Sequence, residues 1–259
     1  MSGEKDHSLD IFGIKDFGKA TDKTIEAAIK LAEAFLSTVC GPATNELGLL
    51  FGDRVSYWRA KQAIKIAYKT HTFYEKYKLK GKLIHPRLVY EALEKGSLCD
   101  DGDLQSMWGG LLASSCCEDG KDDSNIIFTG LLSQMTSIQV KILNHSCENA
   151  SKYITKGGLP FAHGLPIKTC EINNLTGIKD LNRLDFELDH LRKQELISEG
   201  FNVHSTESAN ITPTPLALNL YVRCHGYIGS PEKYWDLKKE SDSQNEKSSG
   251  DFGIPISTG

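Results

Sequence analysis

Lys61, Lys65 and Lys69 stand four residues apart, a spacing that sets three ammonium groups on one face of a helix. Such a row suits a chemistry that needs no reactive group, the tracking of phosphates along a nucleic acid or of headgroups on an anionic membrane. Arg54, Arg59 and Lys76 extend the run, and Tyr57, Tyr68 and Tyr77 lie among them, where aromatic rings can stack on bases. From Arg54 to Lys82 there are nine Lys or Arg against one acid, Glu75, in a chain whose formal net charge is −4. The competing reading is a solvated flank, neutralised by the chain's own acidic loops around Asp100 and Asp122.

A second set lies near residue 190. Asn182, Arg183, His190, Arg192 and Lys193 are residue types that read base edges when a helix enters the major groove. Asp180, Asp185, Glu187 and Asp189 share that segment, with Glu195, Glu199 and Glu207 following, and their charge repels phosphates. Packing or dimerisation therefore stands beside DNA reading as the role of this segment.

His145, Cys147, His163 and Cys170 are types that zinc accepts, but no CxxC or HxxxH spacing joins them, so no metal or cofactor is expected. The acidic loops at Asp100–Asp103 and Asp119–Asp123 lack the alternating oxygen ligands of an EF-hand. No phosphate-binding loop, dinucleotide glycine signature or nucleophile elbow is present. Cys116-Cys117 with a distant His is a pairing that any chain with seven Cys and eight His permits. Glu46 and Asp53 fall on one helical face near Arg54, as a polar site or as an internal salt-bridge network. No catalytic residue is assigned.

The elements that must position these groups read mainly as helices. A helix is expected over Asp22–Val39, ended by Cys40-Gly41-Pro42. A long one follows over 46–78, with Leu47, Leu50, Phe51, Val55, Trp58, Ala63, Ile64, Ala67 and Tyr74 as its apolar stripe and Gly81 closing it. Pro86 opens a short helix over 85–94. Asp101 or Asp103 caps the next, whose buried face is Leu104, Met107, Trp108, Leu111 and Leu112; Gly109-Gly110 points to a close helix–helix approach. Thr136 or Ser137 caps a further helix to Leu143.

Residues 151–178 are punctuated by Gly157, Gly158, Pro160, Gly164 and Pro166 and read as a loop. A helix over 179–194 follows, with Leu181, Leu184, Leu188 and Leu191 inward. Two short strands holding Leu196-Ile197 and Ile211 then lead to a last helix opened by Thr214-Pro215. The expected fold is mainly α, an N-terminal helical array followed by a winged-helix-like module with short wing strands. In domain terms, 1–20 is a flexible leader, 21–150 the helical domain, 151–178 the loop, 179–228 the winged-helix-like module (using helices from 126–150), and 229–259 a disordered tail. The polar start, the lack of any long apolar run and the unpatterned cysteines read as a cytoplasmic protein with reduced thiols.

Several stretches resemble one family. GPATNELGLLFGDRVSYWRAKQA, HPRLVYEALEKGSLCDDGDLQSMWGGLLASS, LNRLDFELDHLRKQELI and ITPTPLALNLYVRC are similar to the Abi-alpha family, also called the DUF4393 domain, over about Thr24 to Cys224. That resemblance implies a role in abortive-infection phage defence. The expected mode is binding, through the basic helix face, to nucleic acid, an anionic membrane surface or a phage or host protein, with homo-oligomerisation open. A winged-helix DNA-binding regulator and a cryptic nuclease-like effector are the alternatives.

Overall fold

A computed structural model describes residues 34, 38, 39, 56–202 and 204–237. The expected leader, nearly all of the first helix, and Glu46, Asp53 and Arg54 lie outside the described residues. Those residues form a mainly helical structure with small antiparallel sheets. The chain divides into two units, Met1–Lys141 with Leu220–Ile228, and Ile142–Asn219 with Gly229–Gly259.

The first unit is built on two helices, α1 (Ser56–Lys76) and α3 (Gly102–Ser114), with α2 (Pro86–Gly96) and α4 (Ile126–Ser133) packed around them. Asp101 starts α3 by accepting hydrogen bonds from the amides of Asp103 and Leu104 at 3.0 and 2.9 Å, which satisfies two of the donors that a helix leaves open at its first turn. Trp108, Leu111 and Leu112 are each about 1% exposed, and Leu104 and Met107 are also buried, so the whole face expected to be buried is. Each large side chain so enclosed contributes about 1.5–3 kcal/mol. Gly109 and Gly110 allow neighbours to come close. A methyl group on Gly109 would lie 2.6 Å from Cβ of Lys69 on α1, and one on Gly110 would collide with the carbonyl of Cys224. One buried polar contact crosses this interface: the Gln105 amide donates to Gln62 Oε1 at 2.8 Å and to the Cys99 carbonyl at 2.9 Å. Strands β1 (Leu83–Ile84) and β2 (Cys116–Cys117) pair antiparallel, Leu83 opposite Cys117. The stripe predicted for α1 holds at Ala63, Ile64, Ala67 and Tyr74 but not at Trp58, which is 43% exposed.

In the second unit lie the C-terminal part of α5 (Ser137–Asn149), strands β3 (Lys152–Ile154), β4 (Pro160–Ala162) and β5 (Pro166–Lys168), and helices α6 (Thr169–Thr176) and α7 (Leu181–Lys193). Strands β6 (Phe201–Asn202) and β7 (Ser205–Asn210) follow, then the first residues of α8 (Pro215–Cys224) and the short α9 (Pro231–Tyr234). The stretch 151–178, expected as a loop, thus carries three strands and a helix. Residues expected in the tail include α9. Strands β3 and β4 form a hairpin, and β5, β7 and β6 form a three-stranded antiparallel sheet in that order.

Leu196-Ile197 is not a strand; both residues are buried, and Ile197 forms a single bridge to Pro213. Ile211 lies just past β7, where its amide donates to the Leu165 carbonyl at 3.0 Å. Ser146 on α5 donates its hydroxyl to the carbonyl of Ile211 at 2.5 Å, tying that helix to the segment after the sheet. Thr214 caps α8 by accepting from the amide of Ala217 at 3.1 Å.

Candidate functional site

Most of the cationic residues of α1 are described, and they divide into three environments. Arg59 is turned into the fold: Nε donates to Ser97 Oγ and Nη2 to the Glu94 carbonyl, both at 3.1 Å, so its guanidinium holds the C-terminal end of α2. Lys61, Lys65 and Lys69 are partly buried. Burial holds the Lys65 ammonium below its usual range, Lys61 adds to that depression, and Asp100 opposes it. Lys69 is lowered as well, chiefly by burial, with Asp103 opposing, Lys65 reinforcing, and Asp101 again opposing. The acidic turn that caps α3 therefore lies beside the lysine row. Both acidic loops of the competing reading thus reach the basic stretch: Asp100, Asp101 and Asp103 act on Lys65 and Lys69, and Lys82, at the end of the run, pairs with Glu118 of the loop around Asp122 at 3.3 Å.

Lys76, Lys78 and Lys80, at the end of α1 and in the turn after it, are exposed. The turn is set by Lys78 at φ 54° and by Gly81 at φ 86°, a backbone conformation natural for glycine and costly for lysine. The Lys76 ammonium lies 5.0 Å from the ring centre of Tyr77 and 5.9 Å from that of Phe73. Tyr77 also meets Tyr227 edge-on, ring centres 5.8 Å apart. Tyr68 is partly buried on α1.

The two arginines of the second cationic set are committed to their own helix. Asp180 caps α7 by accepting from the amides of Asn182 and Arg183 at 3.0 and 3.4 Å. Arg183 pairs with Glu187, and Arg192 pairs with Asp189 at 2.7 Å. Asn182 and Lys193 are exposed. Leu184, Leu188 and Leu191 are fully buried as their spacing predicts, but Leu181, expected to point inward, is 38% exposed. It lines instead a groove of about 530 Å³ between α7 and the segment from Ser198 to Thr206. Sequence reasoning missed both the burial of Glu187 and this groove. The four-residue spacing of Arg183 and Glu187 was the available signal.

Of the soft metal ligands, Cys147 is buried and Cys170 exposed, while His163 stacks on Tyr153 with ring centres 4.5 Å apart. Among the described residues no group of three or more His, Cys, Asp or Glu is arranged to hold a metal ion. Among them also, no helix is long and apolar enough to cross a membrane.

The family model described as Abortive infection alpha matches residues 61–224. That span runs from the lysine row to the last turn of α8, across both units. No curated protein and no solved structure matches the chain.

Proposed function

This chain belongs to the abortive infection alpha family, and from that premise we propose that it acts in phage defence, in the cytoplasm, by binding a polyanion and not by catalysis. The observation that carries the reading is the division of the basic stretch. Lys65 and Lys69 sit beside the chain's own aspartates, whereas Lys76, Lys78 and Lys80 are exposed and share their end of α1 with Phe73 and Tyr77. Ammonium groups next to aromatic faces suit a nucleic acid, whose backbone and bases offer both kinds of partner. An anionic membrane or an acidic phage protein would use the ammonium groups alone.

Phage plating on cells carrying the gene tests this. Protection should be lost with Lys76→Glu/Lys78→Glu/Lys80→Glu, and oligonucleotide binding by the purified protein should fall steeply as salt rises and vanish in the same variant. Undiminished protection and binding in the triple variant would reject the reading. Cleavage of the oligonucleotide on addition of divalent metal would replace it with the nuclease alternative.

A second reading has its own support. The order α5, β5, α6, α7, β6, β7, with a sheet ordered β5–β7–β6, supports a winged-helix reading, in which α7 would be the helix that enters the major groove. A winged-helix DNA-binding regulator would lose binding to one duplex sequence through Asn182→Ala and Lys193→Ala, while the lysine reversal at 76, 78 and 80 left that binding intact.

A further inference from the structure

The groove beside α7 plays no part in the reading through α1, and it competes with the second reading, since Asn182 is among its lining residues. Asp185 and Asp189 lie on its helical bank and Glu199 on the opposite one. Arg192 is the one cation among its lining residues, and it is already bound to Asp189 at 2.7 Å. Among the described residues no ion pair engages Asp185 or Glu199. Leu181 and the partly buried Phe201 supply apolar surface inside the groove, and Phe186, 55% exposed, projects from the same helix. Its volume of about 530 Å³ falls in the range of sites that enclose a small ligand, about 300–1,000 Å³.

This is the wrong surface for phosphate. Three carboxylates face one compensated guanidinium, so a nucleic acid approaching the outer face of α7 meets repulsion where a reader would supply attraction. The same charges with apolar contacts between them match a polypeptide of opposite sign. Exposed carboxylates at a rim select the partner and speed its encounter, while burial of an apolar side chain supplies most of the affinity.

We propose that the groove between α7 and the β6 region is a docking site for a basic segment of a partner protein, carrying Lys or Arg side chains to Asp185, Asp189 and Glu199 and an aliphatic side chain to Leu181 and Phe201. The site and the cationic end of α1 are built from different residues, and either can fail without the other.

The test uses the full chain and a short fluorescein-labelled peptide alternating Lys and Leu, read by fluorescence anisotropy. The peptide should bind, its affinity should fall with salt, and a peptide alternating Lys and Ser should bind more weakly. Asp185→Lys/Glu199→Lys should weaken binding by about tenfold or more, equivalent to about 1.4 kcal/mol. Asp185→Asn/Glu199→Gln should give a smaller loss in the same direction, with an unchanged thermal melt showing that the fold is intact. Lys76→Glu/Lys78→Glu/Lys80→Glu should leave peptide affinity unchanged. Equal binding of a Glu and Leu peptide, displacement of the peptide by duplex DNA, or full affinity in both groove variants would overturn the proposal. Concentration-dependent self-association, abolished by the groove variants, would overturn it in favour of a second copy as the occupant.

Discussion

Arg183 donates from both Nε and Nη2 to a single oxygen of Glu187, Oε1, at 3.0 and 2.9 Å. The carboxylate is fully buried, while the guanidinium is 47% exposed and lies over the ring of Phe186, 5.1 Å from its centre. Stripping a hydrogen-bonded cation from a buried carboxylate is strongly disfavoured, so this arginine is held by the fold and is not free to turn toward a base edge.

Replacing Arg183 with Ala should therefore destabilise the protein more than an exposed arginine would suggest. Breaking a buried pair costs about 3–5 kcal/mol, and the half-exposed position of the guanidinium reduces that to about 2 kcal/mol. Urea unfolding should show a lower midpoint for Arg183→Ala, and a smaller drop for Arg183→Lys, whose single ammonium cannot reproduce the two-pronged contact. Glu187→Leu combined with Arg183→Ala should recover part of the loss, because a buried carboxylate that has lost this guanidinium is then gone. Additive losses in that double variant would mean that the two side chains do not depend on each other.

Gly109 and Gly110 make a sharper prediction about the first unit. At Gly109 an added methyl group meets Cβ of Lys69 at 2.6 Å and the Thr70 amide nitrogen at 2.9 Å; at Gly110 it meets backbone alone, the Cys224 carbonyl and the Gly226 nitrogen. Backbone cannot swing aside as a side chain does. Gly110→Ala should cost about 3 kcal/mol or more, and Gly109→Ala less, in the ~1–3 kcal/mol range of an overpacked core. Thermal melts of the two variants compare them directly, and equal melting temperatures would contradict the close approach at Gly110.

That approach was legible in the sequence, and the contrast with what was not is physical. Adjacent glycines beside a tryptophan inside an apolar helix have few uses other than letting another backbone come near. Asp101, Thr136 and Thr214 were legible as helix starts because a cap is a local interaction; Thr136 accepts from the Gln139 amide while the Gln139 side chain accepts from the Thr136 amide, both at 3.2 Å. Strands β3, β4 and β5 were hidden, since three residues are too few to display alternation. Strand β7 reads Ser-Thr-Glu-Ser-Ala-Asn and buries Ala209 alone, so its strand character comes from its neighbours in the sheet and not from its own side chains. For the candidate site, spacing placed Lys61, Lys65 and Lys69 on one face. It could not disclose that the turn before α3 brings Asp100 near Lys65 and Asp101 and Asp103 near Lys69, because that proximity is tertiary.

The depressed ammonium of Lys69 predicts a pH dependence of stability. Its ordinary value of 10.5 is lowered in the folded state, mainly by burial, so between the folded value and 10.5 the unfolded chain binds more protons than the folded one. Stability contributed through this group must rise with pH across that alkaline window; below it the cost of burying a charged ammonium is fully present. Lys69→Met removes the charge and retains much of the apolar stem. Urea unfolding should find the variant more stable than the parent near neutral pH, by a few tenths of a kcal/mol given how much solvent still reaches the site, with the gap closing as pH approaches 10.5. Tyr74, held above its usual value by burial, is common to both proteins and cancels in the difference. A gap that widens with pH would show that attraction to Asp103 and Asp101, and not desolvation, governs this lysine.

Cysteine reactivity tests the interior of the second unit. Cys147 is fully buried on α5, its thiol donates to the Ala217 carbonyl at 3.8 Å, and burial pushes that thiol far above its ordinary range, with a small opposing effect from Lys152. The thiolate is the nucleophile, so Cys147 lacks both the ionised form and the access that alkylation needs. Cys170 is exposed on α6. Brief treatment of the native protein with iodoacetamide near pH 8, followed by peptide mass spectrometry, should label Cys170 ahead of the other described cysteines. Cys147 should be labelled only as fast as the surrounding structure opens, and urea should raise its rate by orders of magnitude. Cys170→Ser should remove the fast reaction at that position without altering the slow one at Cys147. Equal labelling of the two in the folded protein would mean that α5 does not seal against the first turn of α8, and the Ser146 contact to Ile211 would fall with it.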